Sequence, residues 1–122
     1  MDTRVPNVAI VDDESDAVLL LKKSFTMKNI PVTFVAYNGL EAVDQFKHAA
    51  PKPDVIIMDH RMPLANGVEA TREILAMDSG VKIIFLSADP TIVNDAMDAG
   101  AVGFLKKPVS IRTIIETVRG AI

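Results

Sequence analysis

The sequence predicts an α/β domain in which five parallel strands are doubly wound by five helices. Short apolar runs typical of strands alternate five times with segments of helical periodicity. The run at 54–58 is almost continuously apolar, which is typical of a parallel strand that is covered on both faces. Strands that alternate with helices form parallel sheets with right-handed crossovers, so we expect a three-layer sandwich.

Each element follows from its local pattern. We predict strands at 7–11, 31–36, 54–58, 82–86 and 101–105. We predict helices at 15–27, from the cap at Asn38 to about 47, at 67–77, at 91–99 and after Ser110. In the first helix, one broad apolar face is predicted from Val18, Leu20, Leu21 and Phe25. In the last helix, an apolar stripe is predicted from Ile111, Ile114, Ile115 and Val118.

Residues typical of helix ends support these bounds. Asn38 precedes Glu41 by three residues, as in a capping box. Gly100 occupies the position where a residue with positive φ commonly closes a helix. Ser110 is the predicted cap of the last helix.

Composition limits the function classes. The 122 residues fit one domain, 1–122, and 49% of them are hydrophobic. There is no cysteine, which excludes disulfides, thiolate metal sites and a cysteine nucleophile. A net charge of −3 argues against a basic surface for direct nucleic-acid binding. The apolar runs are too short for membrane insertion, and a cytoplasmic location is the default expectation.

Reactive polar residues follow four of the five predicted strands: Asp12 and Asp13, Asp59, Ser87, and Lys106 with Lys107. In a flavodoxin-like sheet of order 2-1-3-4-5 the first and third strands are neighbours, so the three aspartates crowd into one crevice. Three carboxylates repel one another unless some are protonated or a cation lies among them. Oxygen ligands favour Mg²⁺ or Mn²⁺, and the lack of histidine in the set argues against zinc.

The pattern resembles the receiver domain of two-component response regulators over nearly the whole chain. It comprises Asp12-Asp13, Asp59-His60-Arg61-Met62-Pro63 with Gly67, Ser87-Ala88, and Lys107-Pro108. The resemblance implies that Asp59 accepts a phosphoryl group from a phosphohistidine of a histidine kinase or a histidine phosphotransfer protein. It also implies that Asp13, Asp59 and the backbone carbonyl of Arg61 bind Mg²⁺, and that Asp12 does so through water.

The same resemblance assigns the remaining site residues. Ser87 is expected to donate to a phosphoryl oxygen, and Lys107 to pair with Asp59 at rest and with the phosphoryl group afterwards. Lys106 is then a solvated neighbour. The bond before Pro108 is expected to be cis. Phe104 is the aromatic that turns inward when the surface of the fourth helix, fifth strand and fifth helix switches.

Two departures from the family pattern bear on signalling. Ser87 and Phe104 stand where threonine and tyrosine are commoner, so their coupling is expected to be weaker. Arg61 and Asp89 occupy the two positions that tune hydrolysis in the family, and an ion pair between them would restrict access of water. His60 is expected to point away from the phosphoryl group, because side chains alternate along a strand.

The resemblance implies a signalling switch that assists its own phosphorylation and dephosphorylation, with a downstream protein or effector domain as output. Phosphorylation-dependent homodimerisation and a stand-alone or excised origin are left open. The alternatives are a receiver-like scaffold that acts without phosphorylation, an aspartyl-nucleophile phosphatase and a flavin carrier. The phosphatase needs an acid two positions after Asp59, where Arg61 stands. A flavin phosphate is disfavoured by the acidic loop at Asp12-Asp13-Glu14.

Overall fold

The computed structural model describes residues 5–60, 62 and 65–122. Its strands are β1 (Val8–Val11), β2 (Val32–Ala36), β3 (Val55–Met58), β4 (Lys82–Ser87) and β5 (Gly103–Lys106). Its α-helices are α1 (Ser15–Met27), α2 (Gly39–His48), α3 (Gly67–Met77), α4 (Val93–Asp98) and α5 (Ile111–Gly120), and a 3₁₀ turn (Pro90–Ile92) precedes α4.

The strands form one parallel sheet in the order β2-β1-β3-β4-β5. The order reverses between β1 and β3, which both lie inside the sheet, and crevices for ligands form at such a point. The predicted fold class, a doubly wound (βα)₅ flavodoxin-like three-layer sandwich of order 2-1-3-4-5, is confirmed.

The two faces of the sheet bury separate hydrophobic cores, because side chains alternate along each strand. One core joins the sheet to α2, α3 and α4, and its largest members include Phe46 and Phe85. The other joins the sheet to α1 and α5 around Phe25. Within the described residues, no helix has both the length and the apolar character that a membrane span requires.

One core assignment was wrong. Leu20 was expected on the apolar face of α1, but its side chain is 56% exposed. The buried positions of the helix are Val18, Leu21 and Phe25, which recur at intervals of three and four residues. Leu20 lies one residue before Leu21, a rotation of about 100° that turns it toward the edge of this face.

The predicted bounds of the first four strands differ from the observed ones by one residue at one end each. The fifth strand starts two residues later than predicted, at Gly103. The N–H groups of Gly100 and Ala101 donate to Met97 and Ala96, at 3.0 and 3.1 Å. These residues therefore close α4, with Gly100 at a φ of 111°, before the strand begins.

The fourth helix also begins differently from the prediction. A continuous helix was expected over 91–99, whereas the segment opens with the 3₁₀ turn Pro90–Ile92 and becomes α-helical only at Val93. Asp89 caps this turn with its side chain, and Pro90 occupies its first position. Proline suits this position because its missing N–H has no helical partner there.

Candidate functional site

The register of the inner strands brings Asp12 and Asp59 together. Val11 of β1 pairs with Met58 of β3, so Asp12 and Asp59 leave adjacent strands at equivalent positions. The N–H of Asp59 donates to the carbonyl of Val11 at 2.9 Å, and the N–H of Asp12 donates to Ala36 at 3.0 Å. Backbone hydrogen bonds therefore fix both aspartates at the carboxyl edge of the sheet.

Three carboxylates converge at this edge. One oxygen each from Asp12, Asp13 and Asp59 can be chosen so that the three atoms lie within 4.8 Å of one another. Asp12 and Asp59 are buried, with 3% and 8% of their surface exposed, whereas Asp13 is exposed. An all-oxygen set with one side open to solvent is the donor chemistry that Mg²⁺ prefers, since this ion usually retains several waters.

Asp12 is held at both of its oxygens. Its Oδ1 accepts a hydrogen bond from the N–H of Glu14 at 2.9 Å, and its Oδ2 lies 3.7 Å from Nζ of Lys107. The resemblance had implied that Lys107 pairs with Asp59 at rest. In the described part of the chain, Lys107 forms an ion pair with Asp12. Its positive charge is also near enough to Asp59 to lower the pKa of that carboxyl.

In the acidic corner formed by Asp12, Asp13 and Asp59, the surroundings raise the pKa of the two buried carboxyls above the ordinary value. Burial, followed by the negative charge of Asp12, raises the pKa of Asp59 to about 6, and the positive charge of Lys107 opposes this rise. Burial also raises the pKa of Asp12, against the N–H of Glu14 and Lys107. The single positive charge of Lys107 therefore does not balance the carboxylates of the acidic corner, and a divalent cation would supply the missing positive charge.

The other strand ends complete a cleft of about 550 Å³ over this corner. Ser87 lies opposite Lys106 in the β4–β5 register, and the N–H of Lys107 donates to the carbonyl of Ser87 at 2.9 Å. The Lys107–Pro108 peptide bond is cis. The cleft is lined by two carboxylates of the cluster and by residues at or just beyond the ends of β1, β4 and β5: Asp13, Glu14, Asp59, Ser87, Ala88, Asp89, Pro90 and Lys107.

Gly67 allows α3 to begin directly against the phosphoacceptor candidate. A Cβ at this position would lie 2.9 Å from Cα of His60 and closer still to the carbonyl oxygen of Asp59. The N–H of Gly67 donates to the carbonyl of His60 at 3.0 Å. The glycine is therefore required by close backbone contact, which gives a physical reason for its place in the sequence motif.

Phe104 lies beside the core in this structure. Its ring stacks on that of Phe85, with centroids 6.5 Å apart and planes 10° from parallel. Phe85 is fully buried, whereas Phe104 is only partly buried. The ring of Phe104 therefore has one face against the core and retains exposed surface, while Lys106 is exposed to solvent, as expected.

Two predicted assignments concern Arg61, as a backbone ligand and as a partner of Asp89, and both lie outside the described residues. Asp89 itself lines the cleft. Its Oδ1 also accepts hydrogen bonds from the N–H and the hydroxyl of Thr91, at 3.0 and 2.5 Å. Sequence reasoning missed Thr91, although the order Asp-Pro-Thr is typical of a side-chain cap.

Sequence reasoning also gave no structural role to Glu14, whose N–H orients Asp12 and which lines the cleft. Its position directly after the aspartate pair was the available signal. His60 lies next to Asp59, and its Nδ1 is buried without a hydrogen-bond partner in the described structure.

Comparisons with known proteins show the family of the chain. The family model of the response regulator receiver domain matches residues 8–119. The chain belongs to the response regulator receiver family. The chemotaxis protein CheY of Thermotoga maritima is 38% identical over 113 residues, which cover 91% of this chain and 92% of that protein. CheY of Bacillus subtilis is 33% identical, with the same two coverages.

Solved receiver structures share the fold. The complex of CheX, CheY, BeF₃ and Mg²⁺ from Borrelia burgdorferi contains a chain with a TM-score of 0.88 and 31% identity, over 98% of this chain and 91% of that one.

The transcriptional regulatory protein LnrK of B. subtilis is 34% identical, and the match covers 89% of this chain but half of LnrK. Receiver sequences similar to this one therefore occur both nearly alone and as part of longer regulators.

Proposed function

We propose that this receiver domain is a phospho-accepting switch in which Asp59 takes a phosphoryl group from a phosphohistidine. The observation that carries the proposal is the convergence of Asp12, Asp13 and Asp59 within 4.8 Å. The cleft above them also contains Ser87 and Lys107. One cluster thus combines a nucleophile, a candidate cation site and two groups suited to binding a phosphoryl group.

The cation in this proposal is Mg²⁺, with Mn²⁺ as an alternative, held by Asp13 and Asp59 directly and by Asp12 through water. The donor set fits, because all its atoms are oxygens and Asp13 faces solvent. When bound, the ion neutralises negative charge at the phosphoryl group. Arg61, as a further ligand through its carbonyl, stays a prediction.

The transfer requires Asp59 in its ionised form. A carboxylate oxygen of Asp59 attacks phosphorus, the phosphorus–nitrogen bond of the phosphohistidine breaks, and the histidine leaves with its electron pair. Hydrolysis reverses the modification, as water attacks phosphorus and the bond to Asp59 breaks to release inorganic phosphate. Charge neutralisation and alignment dominate such transfers, so Lys107 lowers the barrier by its positive charge.

Ser87 and Phe104 are the proposed readout. The Ser87 hydroxyl is suited to donate to a phosphoryl oxygen, because it is buried beside Asp59 in the cleft. A shift of Ser87 would alter the space beside Phe104, which is partly buried on β5 and stacks on Phe85 of β4. The expected result is a change in the surface formed by α4, β5 and α5.

The proposed partners follow from this chemistry. A histidine kinase or histidine phosphotransfer protein supplies the phosphoryl group, and a downstream protein or effector domain reads the switched surface. The likeness to a CheY that is found in complex with CheX, BeF₃ and Mg²⁺ supports both the cation and a protein partner. Phosphorylation-dependent homodimerisation and a cytoplasmic location stay predictions. The chain is accordingly a signalling switch rather than an enzyme with an external product.

The direct test is incubation with acetyl phosphate and Mg²⁺, followed by intact mass spectrometry. The wild type should gain one phosphoryl group, and the Asp59→Asn variant should gain none. Asp98→Asn is the matched control, because Asp98 is an exposed aspartate of α4 and should leave the adduct unchanged. An adduct on Asp59→Asn, or none on the wild type, would overturn the proposal.

A further inference from the structure

The turn after β4 links the cleft to the start of the fourth helix through hydrogen bonds. The N–H of Asp89 donates to Oγ of Ser87 at 3.2 Å. Oδ1 of Asp89 accepts from the N–H of Thr91 at 3.0 Å and from its hydroxyl at 2.5 Å. Asp89 therefore contacts the buried serine through its backbone and the 3₁₀ turn through its side chain.

The first of these bonds orients the Ser87 hydroxyl. A serine hydroxyl has one hydrogen to donate and two lone pairs to accept with. Because one lone pair accepts the N–H of Asp89, the hydrogen stays available to donate elsewhere. Ser87 lines the cleft over Asp59, so the hydrogen can reach a phosphoryl oxygen there without breaking the bond to Asp89.

The second pair of bonds restrains a negative charge. Asp89 lines the same cleft as Asp59, and a phosphoryl group adds a charge of about −1.5 to −2. A carboxylate that turned toward that group would repel it. Thr91 donates twice to a single oxygen of Asp89, and one donor is the hydroxyl, so the side chain is held in its capping orientation.

We propose that Thr91 is a positioning residue for phosphoryl chemistry at Asp59. It acts through Asp89, because Thr91 is exposed and lies outside the lining of the cleft. Its hydroxyl keeps the Asp89 carboxylate in the cap of the 3₁₀ turn, and thereby keeps the Asp89 N–H on Ser87. This role rests on the proposed phosphorylation of Asp59, and it makes Thr91 one of the residues that set the rate of that phosphorylation.

The test compares rates of phosphorylation by acetyl phosphate in the presence of Mg²⁺. Thr91→Val keeps the shape and the backbone N–H but removes the hydroxyl, and should slow phosphorylation about three- to tenfold, which is the size of effect expected for one ordinary hydrogen bond at an exposed site. Thr91→Ser keeps a hydroxyl and should restore a rate near that of the wild type. Asp89→Asn keeps an acceptor oxygen without the charge and should phosphorylate at least as fast as the wild type.

A double-mutant cycle separates positioning from a merely structural role. In an Asp89→Ala background, Thr91→Val should have no further effect on the rate. Thr26→Val is the matched control, because Thr26 is an exposed threonine whose hydroxyl bonds to a backbone carbonyl on α1. Its rate should equal that of the wild type, and circular dichroism should show all variants folded.

The outcomes distinguish the two proposals. Equal rates for the wild type and Thr91→Val, with Asp59 phosphorylated in both, would overturn the role of Thr91 alone. A Thr91→Val effect that persists at full size in the Asp89→Ala background would likewise overturn a route through Asp89. A wild type that gains no phosphoryl group would overturn the proposed function, and the role of Thr91 with it.

Discussion

The inner strands of the sheet and the acidic residues that follow them make opposite contributions to the stability of the fold. All residues of β1 and β3 are apolar and buried, so the middle of the sheet is a source of stability. Asp12 and Asp59 follow these strands directly, are themselves buried, and have raised pKa values because burial disfavours their charge. Burial therefore stabilises the fold within the strands, whereas burial of the two carboxyls at the strand ends, where the chemistry is proposed, lowers its stability.

The largest effect should come from the core. Phe85→Ala removes a fully buried ring from β4 and should lower the free energy of unfolding by about 3–5 kcal/mol. Leu20→Ala is the matched control, since Leu20 is exposed and its truncation should change the free energy by less than about 0.5 kcal/mol. Urea denaturation measures both, and similar losses for the two variants would contradict the core assignment.

A substitution in the acidic corner should change the free energy of unfolding in the opposite direction. Asp59→Asn removes a charge that burial disfavours, and should raise the free energy of unfolding of the metal-free protein at pH 7. The pKa of Asp59 is raised from 3.8 to about 6. At about 1.36 kcal/mol per pH unit, this shift corresponds to at most about 3 kcal/mol. Thermal or urea unfolding of both proteins measures the difference.

The pH dependence checks the cause of this gain. Because the folded protein binds the proton of Asp59 more tightly than the unfolded chain, the contribution of Asp59 to stability falls as pH rises from about 4 to about 6. The advantage of Asp59→Asn should thus be near zero below pH 4, grow through this window and stay constant above it. Asp98→Asn should show no such window, and an advantage independent of pH would contradict the electrostatic account.

The smallest effect should come from a helix end away from the acidic corner. Oδ1 of Asn38 accepts the N–H of Glu41 at 2.8 Å and caps α2. Asn38→Ala should lower the free energy of unfolding by about 1 kcal/mol, whereas Asn38→Asp keeps the acceptor and should lose little. Equal losses for the two variants in urea unfolding would show that the side-chain oxygen is not the cause.

The sequence predicted those features that depend on local pattern. Strand positions and the three aspartates follow from apolar runs and from the polar residues that end them, because period and strand order fix which residues share an edge. The capping bond of Asn38 was readable for the same reason, and Asn66, whose Oδ1 accepts the N–H of Glu69, has the same spacing but was missed.

The remaining features depend on distances that no local pattern contains. The pairing of Lys107 with Asp12 reflects where a long, flexible side chain rests between two nearby carboxylates. The late start of β5 depends on how Gly100 and Ala101 close α4. Burial of His60 Nδ1 is likewise a property of packing, and it was not predicted from the alternation of side chains.

The close contact at Gly67 makes α3 a natural reference frame for measuring motion. Since the start of the helix lies against the backbone of Asp59 and His60, it should move with them as one body. The chain has no cysteine, so a cysteine introduced at exposed Arg72 on α3 and another at exposed Asn94 on α4 would carry the only two spectroscopic labels. The distance between them would report displacement of α4 relative to a fixed point beside Asp59, the proposed phosphoacceptor.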